Sequence, residues 1–97
     1  MLTITTDKQD TLLNVALAGR LDTVTAPQLR EKLAEEGAGV TDIIMDFTDL
    51  AYISSAGLRV LLTARKTIQG ELTLKNVASS VRDVLEITGF VDILTIE

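Results

Sequence analysis

The amino-acid sequence predicts an α/β fold, with helices and a single-layer, mixed but mostly parallel sheet in the order β-β-α-β-α-β-α-β. Three observations predict it. Five short apolar segments have the pattern of strands, three segments have helical spacing, and the two kinds alternate after an initial pair of strands. Strands joined through single helices form right-handed crossovers into parallel pairs, so only the first pair should be antiparallel.

The first two strands form a predicted hairpin. Leu2 and Ile4 alternate with threonines in LTIT, and Leu13, Val15 and Leu17 alternate in LLNVALAG. This period of two is typical of half-buried strands. The segment TDKQD between them is short and polar, so it favours a turn that pairs the strands in antiparallel fashion.

The first helix is predicted within DTVTAPQLREKLAEEG. Thr25 should begin it, with Pro27 in the first turn and Gln28 where a capping box has Glu or Gln. The expected buried stripe and the expected end of the helix are Leu29 and Leu33, then Gly37 or Gly39. The unbroken apolar run TDIIMDF then predicts a central strand that is covered more fully than its neighbours.

The second helix is predicted within LRVLLTARKTI. Leu58, Leu61, Leu62 and Arg65 follow the spacing i, i+3, i+4, i+7 of an amphipathic helix. Arg65 and Lys66 lie near its end, where the helix dipole alone accounts for cations.

The last three elements follow the same reasoning. ELTLKNV alternates through Leu72 and Leu74, which predicts the fourth strand. SSVRDVLEITG predicts a third helix that ends at Gly89, and DILTIE, after Phe90, predicts the last strand. The residues of the third helix that we expect to be buried are Val81, Val84 and Leu85.

Composition and length limit the function. The 97 residues have room for one hydrophobic core, so we expect a single domain over residues 1–97. The absence of Cys and His removes zinc sites, thiolate nucleophiles and imidazole bases, and we expect no metal or cofactor. The net charge of −5 disfavours nucleic acid as a partner. Without a leader pattern or an apolar run near ~20 residues, we expect a cytoplasmic protein without membrane insertion.

The stretch YISSAGLRV needs a functional explanation. Ser54 and Ser55 stand where the third strand should pass into the second helix, at the carboxyl edge where open α/β sheets carry functional loops. A serine here can simply cap the helix, and Ala56 and Gly57 can allow close packing on the sheet. Gly costs roughly 1 kcal/mol relative to Ala in a helix, which suggests that something approaches the backbone at Gly57 closely.

The same position also suits a covalent switch. A phosphoserine carries about −1.5 to −2 charges, which the free N–H groups and the dipole of a helix N-terminus can stabilise. Phosphorylation would leave the fold intact and change the sign of the surface. A partner could then be excluded by repulsion and desolvation.

Two segments carry a resemblance to a known family. DLAYISSAGLRVLL and GRLDTVTAPQLREKL resemble the STAS family of sulfate transporters and anti-sigma factor antagonists, in particular its short stand-alone bacterial antagonists. The order of elements matches that fold over the whole chain. The family motif reads approximately Asp-Ser-Ser-Gly-Leu, and its first serine is phosphorylated by a kinase that is also the anti-sigma factor. Aligned on Gly57 and Leu58, the implied acceptor is Ser55, with Ser54 at the usual Asp and Ala56 at a frequent second Ser.

The resemblance also implies a partner-binding surface. It comprises Asp22, Thr23, Thr25, Asp49, Tyr52, Ile53, Ser54, Ala56, Gly57 and Leu58. Asp22 aligns with an acidic residue of the antagonists' docking surface, although a turn or helix cap explains it as well, and Thr25 is first of all a cap by position. Asp49 to Ile53 is expected to be a loop. Asp46 and Asp49 flank the predicted strand end, where two acids without further ligands are turn residues more often than a metal site.

The predicted function is that of an anti-sigma factor antagonist, a protein–protein interaction module that regulates transcription by partner switching. Unmodified Ser55 would allow binding to an anti-sigma factor with serine kinase activity, phosphorylation would end it, and a serine phosphatase would be the further partner. The alternative is a STAS subunit that binds the ATPase of a lipid or solute ABC transporter without phosphorylation. An enzyme is not expected, because G-x-S-x-G and phosphate-loop motifs are absent and Lys66 lies ~15 Å further along the helix.

Overall fold

The structure, a computed structural model, describes residues 1–97, and its elements follow the predicted order. The strands are β1 (Leu2–Gln9), β2 (Leu12–Leu21), β3 (Asp42–Ile53), β4 (Leu72–Lys75) and β5 (Thr95–Ile96). The helices are α1 (Ala26–Glu36), α2 (Ser55–Thr67) and α3 (Ser79–Ile87), and a 3₁₀ turn covers Phe90–Asp92.

The strands form one sheet in the order β1-β2-β3-β4-β5. β1 and β2 pair antiparallel, whereas β2 with β3, β3 with β4, and β4 with β5 are parallel. The predicted hairpin, the mixed and mostly parallel sheet, and the central position of β3 are confirmed. Because each parallel pair is joined through one helix, the carboxyl ends of β2, β3 and β4 lead into helices at one edge of the sheet.

One face of the sheet carries much of the hydrophobic core. In β2 the side chains of Leu13, Val15 and Leu17 are buried, whereas Asn14 and Ala16 between them are more exposed. The same cluster contains, from the other strands and the helices, Leu29, Met45, Phe47, Leu61, Leu72 and Leu85. Burial of each large apolar side chain contributes about 1.5–3 kcal/mol, so this cluster determines how the helices pack on the sheet.

β3 is longer than predicted. The sequence predicts a strand that ends near Asp46 and a loop from Asp49 to Ile53, but β3 continues to Ile53. The continuation pairs with the end of β2 through two register irregularities. Leu50 and Ile53 reach the core although Thr48 and Asp49 are exposed, because irregular pairing breaks the alternation that indicates a strand.

The last strand is shorter than predicted. DILTIE predicts a strand from Asp92, but Asp92 belongs to the 3₁₀ turn and β5 contains only Thr95 and Ile96. Gly89 precedes the turn with a φ of 79°, a left-handed conformation that glycine adopts without strain. The Asp92 N–H donates to the Gly89 carbonyl oxygen at 3.2 Å, so this segment is closed into a turn before it can join the sheet.

The helices have narrower buried faces than predicted. α1 ends at Glu36 with Gly37 as its C-cap, and Arg65 and Lys66 occupy the last turn of α2, as predicted, whereas α3 ends at Ile87, two residues before the predicted Gly89. Leu33, Leu62 and Val84, expected on buried stripes, are half-buried. None of the helices has both the length and the apolar character that are needed to cross a membrane.

Candidate functional site

The carboxyl ends of β2 and β3 bring the two motifs of the sequence together. Leu21, the last residue of β2, is paired in register with Ile53, the last residue of β3. The Ser54 N–H donates to the Leu21 carbonyl oxygen at 2.9 Å. The connection that begins with Asp22 and the start of α2 are therefore neighbours at this edge of the sheet.

Ser54 caps α2, as predicted for a serine at this junction. Its backbone is extended, with φ −101° and ψ 174°, and its Oγ accepts a hydrogen bond from the Gly57 N–H at 3.3 Å. The Leu58 N–H donates to the Ser54 carbonyl oxygen at 2.9 Å, which closes the first turn. The Ser54 Oγ is therefore engaged in the helix cap, and the residue is only half-exposed.

Ser55 has a different environment. It is the first residue of α2 and is exposed, and its hydroxyl makes no hydrogen bond within the chain. The backbone around it is held by the Ser54 cap and by the buried Leu58. The chain therefore presents one free hydroxyl on a rigid element at the sheet edge.

Gly57 is required by packing. A Cβ atom at this position would lie 2.7 Å from Leu21 Cγ and 3.0 Å from Ile53 Cγ1. Both neighbours are themselves buried, so a methyl group would have to displace core side chains. The close approach that the sequence suggests at Gly57 is thus an approach to the ends of β2 and β3.

Asp22 organises the connection between β2 and α1. Its Oδ1 accepts from the N–H groups of Val24 and Thr25, each at 3.0 Å, and its Oδ2 lies 3.9 Å from Arg20 Nε. The Thr25 N–H is the main cause that lowers the pKa of Asp22 below its ordinary value, assisted by the Thr25 hydroxyl and the Val24 N–H. The turn and cap interpretation of Asp22 describes these contacts.

The predicted capping box at Thr25 and Gln28 is wrong. The Thr25 hydroxyl makes no cap hydrogen bond to α1. It donates to the Arg20 carbonyl oxygen at 2.7 Å and accepts from the Asp22 N–H at 2.8 Å, and the residue is only 3% exposed. The Asp22 carboxylate accepts from the N–H groups of Val24 and Thr25, which precede α1, and the Asp22 carbonyl oxygen accepts from the Ala26 N–H at 2.8 Å.

Three predicted partner residues near Ser55 are at least partly accessible: Thr23 and Tyr52 are exposed, and Ala56 is half-buried. Thr23 and Ala56 line one pocket, Tyr52 is 40% exposed, and the Arg20 guanidinium carbon lies 4.2 Å from the Tyr52 ring centroid. We call Asp22, Thr23, Val24, Tyr52, Ser55 and Ala56 the Ser55 edge. Val24, which the sequence reasoning missed, is 78% exposed. The sequence signal for an exposed apolar side chain here is a valine between turn residues, before the helical pattern of α1 begins.

Other predicted partner residues are not available for contact. Thr25, Ile53, Gly57 and Leu58 are buried, so these four residues support the edge from below. Asp49 is exposed but lies within β3, four residues before Ile53, which is about 13 Å along a strand. The structure does not bring Asp49 to Ser55.

Asp46 serves a structural connection. It lies in β3, and its Oδ1 accepts from the N–H and hydroxyl of Thr48 and, at 3.1 Å, from Asn76 Nδ2 after β4. The Thr48 hydroxyl is the largest cause that lowers the pKa of Asp46. No three His, Cys, Asp or Glu side chains are grouped so that they could hold a metal ion.

The sequence matches the STAS domain over residues 3–97. The chain belongs to the STAS domain family. BtrV of Bordetella bronchiseptica is 40% identical to it over 97 residues, which cover 96% of this chain and 84% of BtrV. The anti-sigma-B factor antagonist of Bacillus subtilis is 37% identical over 90 residues, which cover 87% of this chain and 80% of that protein.

Solved structures have the same fold. The crystal structure of an anti-sigma factor antagonist from Mycobacterium paratuberculosis superposes with a TM-score of 0.87 at 20% identity, covering 99% of this chain and 85% of the other. The phosphorylated form of SpoIIAA, a Bacillus cell fate determinant, has a TM-score of 0.76 at 22% identity, covering 98% and 91%. At this identity the likeness concerns the fold.

Proposed function

We propose that this chain is an anti-sigma factor antagonist that binds an anti-sigma factor with serine kinase activity and is inactivated by phosphorylation of Ser55. The names of its relatives support the class. The observation that carries the proposal is the difference between the two serines. Ser54 Oγ accepts a hydrogen bond from the Gly57 N–H of α2, whereas Ser55 is exposed and its hydroxyl is free. Regulation by binding in the cytoplasm, rather than catalysis, suits a chain without Cys or His.

The modification would need little rearrangement. Ser55 Oγ would attack the γ-phosphorus of ATP as the bond to ADP breaks, and the hydroxyl proton would pass to a base of the kinase. Arg59 lies one helical turn after Ser55, is exposed and takes part in none of the ion pairs. A phosphate at i and an arginine at i+4 can pair on a helix surface, so α2 itself would hold the new charge.

The same charge would prevent docking. The unmodified Ser55 edge combines the exposed side chains of Val24 and Tyr52 and the half-buried Ala56 with the uncharged Ser55 hydroxyl, beside the Asp22 carboxylate. A phosphate adds about −1.5 to −2 charges there, and a partner that covers it would have to desolvate them. Binding would therefore be lost while the core remains unchanged.

The test uses wild type, Ser55→Ala and Ser54→Ala with ATP and the anti-sigma factor kinase encoded by the same genome. Phosphate is located by mass spectrometry. We expect label on Ser55 in wild type and in Ser54→Ala, and none in Ser55→Ala. Label on another residue, or none from a kinase shown to bind ATP and the chain, would contradict the proposal.

Binding supplies the second measurement. Ser55→Asp should fold normally and bind the kinase at least about tenfold more weakly than wild type, a difference of about 1.4 kcal/mol. Ser55→Ala, which adds no charge to the edge, is the matched control and should bind like wild type. Equal affinity of all three proteins would argue against the charge mechanism.

A further inference from the structure

A continuous groove runs between α1 and α2 and begins at the Ser55 edge. Two pockets of about 150 and 290 Å³ adjoin along it, and both are lined by Arg30, Val60 and Thr63. The smaller pocket also contains Thr23 and Ala56 in its lining, so it opens beside the start of α2. The larger one extends to the far ends of both helices.

The groove follows a single face of each helix. Its lining on α2 recurs every third or fourth residue from Ala56 to Ile68, and its lining on α1 runs from Ala26 to Gly37. At 1.5 Å per residue, the α2 stripe is roughly 18 Å long. This length equals about three turns of a third helix, and an amphipathic helix laid into a groove is a common mode of recognition.

The two ends of the groove differ in chemistry. Arg59 lines the end near Ser55, and Arg30 lines both pockets where they meet. Neither takes part in the ion pairs of the chain, which join Arg20, Lys32 and Arg82 to carboxylates. The other end is apolar and is lined by Leu33, Val40, Ile43, Ala64 and Ile68. Two unpaired arginines beside an apolar slot, on a chain with a net charge of −5, form a local site for an acidic group.

We propose that this groove docks an acidic amphipathic helix of the anti-sigma factor, with a carboxylate at Arg30 and Arg59 and aliphatic side chains at the Leu33 and Ile68 end. The inference rests on the proposed function, because it names the contact through which that partner is held. It also connects the contact to the switch. A phosphate on Ser55 competes with the partner's carboxylate for Arg59, so modification withdraws one of the two cations from the groove.

The test compares variants that change the groove without touching Ser55. Arg30→Glu reverses one cation, and Thr63→Trp fills the groove from an exposed position on α2. Lys66→Glu, an equal charge reversal on the exposed surface of the same helix outside the groove, is the matched control. The affinity of each unmodified variant for the kinase that phosphorylates wild type is measured by calorimetry, after thermal melting has shown that the variant folds.

We expect Arg30→Glu and Thr63→Trp each to weaken binding about tenfold and Lys66→Glu to leave it unchanged. Replacing the facing acidic residue of the partner, located by cross-linking, with Lys should restore the affinity of Arg30→Glu. Wild-type affinity in both groove variants would overturn the groove and leave the proposed function intact, whereas a wild-type chain that does not bind the kinase overturns both. Variants that lose self-association in sedimentation while keeping the kinase would assign the groove to a second copy and overturn the proposal.

Discussion

Ser54 and Ser55 are neighbours of the same residue type, and the geometry of a helix start separates their tasks. The extended backbone at Ser54 turns its oxygen towards the Gly57 N–H. Ser55 is already helical and exposed, and its hydroxyl makes no hydrogen bond within the chain. One serine therefore contributes to stability and the other remains free for chemistry.

Stability measurements should separate the two serines. Ser54→Ala removes the cap and should lower the free energy of unfolding by about 1 kcal/mol. Ser55→Ala removes a solvated hydroxyl and should change it by less than about 0.5 kcal/mol. Urea denaturation of both variants checks this. An equal loss of stability in both would contradict the assignment of the α2 cap to Ser54 alone.

Gly57 can be tested in the same way. Gly57→Ala gains about 1 kcal/mol of helix propensity, but its methyl group meets the buried Leu21 and Ile53, and overpacking costs about 1–3 kcal/mol. We expect a net loss of about 1 kcal/mol in denaturant unfolding. Thr63→Ala, exposed on the same helix, combines a gain in helix propensity with loss of the hydrogen bond from its hydroxyl to the Arg59 carbonyl oxygen, and should change stability by less than about 0.5 kcal/mol. If Gly57→Ala is more stable than wild type, Leu21 and Ile53 can move aside for the methyl group without loss of unfolding free energy, and the prediction is wrong.

At the scale of elements, the start of α1 is joined to the end of β2 rather than capped by its own sequence. The Asp22 carboxylate accepts from the N–H groups of Val24 and Thr25, and the Thr25 hydroxyl bonds to the Arg20 carbonyl oxygen and the Asp22 N–H. This arrangement fixes where the Ser55 edge begins. It also explains why the local pattern Thr25 to Gln28, which suits a capping box, is not used as one.

The Thr25 contacts predict a large effect from a small change. Thr25→Val keeps the shape of the buried side chain but removes the part-buried hydrogen bonds to the Arg20 carbonyl oxygen and from the Asp22 N–H, which should cost about 1–3 kcal/mol of unfolding free energy. Thr23→Val, an identical change at an exposed neighbour, should stay within about 0.5 kcal/mol. The difference is measured by urea denaturation. Equal urea midpoints for Thr25→Val and Thr23→Val would show that the Thr25 hydrogen bonds do not stabilise the Ser55 edge.

At the scale of the whole molecule, one carboxylate accepts hydrogen bonds from separate parts of the sheet. Asp46 in β3 holds Thr48 within its own strand and Asn76 beyond β4. Its pKa lies below the ordinary value of 3.8, so the unfolded chain takes up a proton at Asp46 before the folded chain does. The stabilisation is complete above the ordinary pKa and is lost as the pH falls through the lowered one.

Acid unfolding should reveal this connection. Asp46→Asn should lower the thermal midpoint at pH 7, because the amide accepts weaker hydrogen bonds than the carboxylate. Below about pH 4 the wild-type midpoint should approach that of the variant. Melting curves between pH 7 and pH 2 check this, with Asp83→Asn, an exposed acid that makes no ion pair or hydrogen bond, as control. A midpoint difference that stays constant with pH would contradict the assignment.

Local patterns were sufficient for much of this molecule. Period-two and helical spacings predict the order of elements, the antiparallel first pair and the serines at the β3–α2 junction, because residues a few positions apart along the chain decide them. They fail where β3 pairs irregularly with β2 and where Gly89 closes a turn before β5. There, pairing and backbone conformation override side-chain alternation.

Tertiary contacts decided the rest. Gly57 is explained by Leu21 together with Ile53, the role of Thr25 by Arg20 and Asp22, and the groove by the packing of α1 beside α2. The motif also cannot show which of its residues are covered, and Ile53, Gly57 and Leu58 are buried although they stand next to the exposed Ser55. Burial depends on what the fold packs against each side chain, and a linear pattern contains that information only for near neighbours.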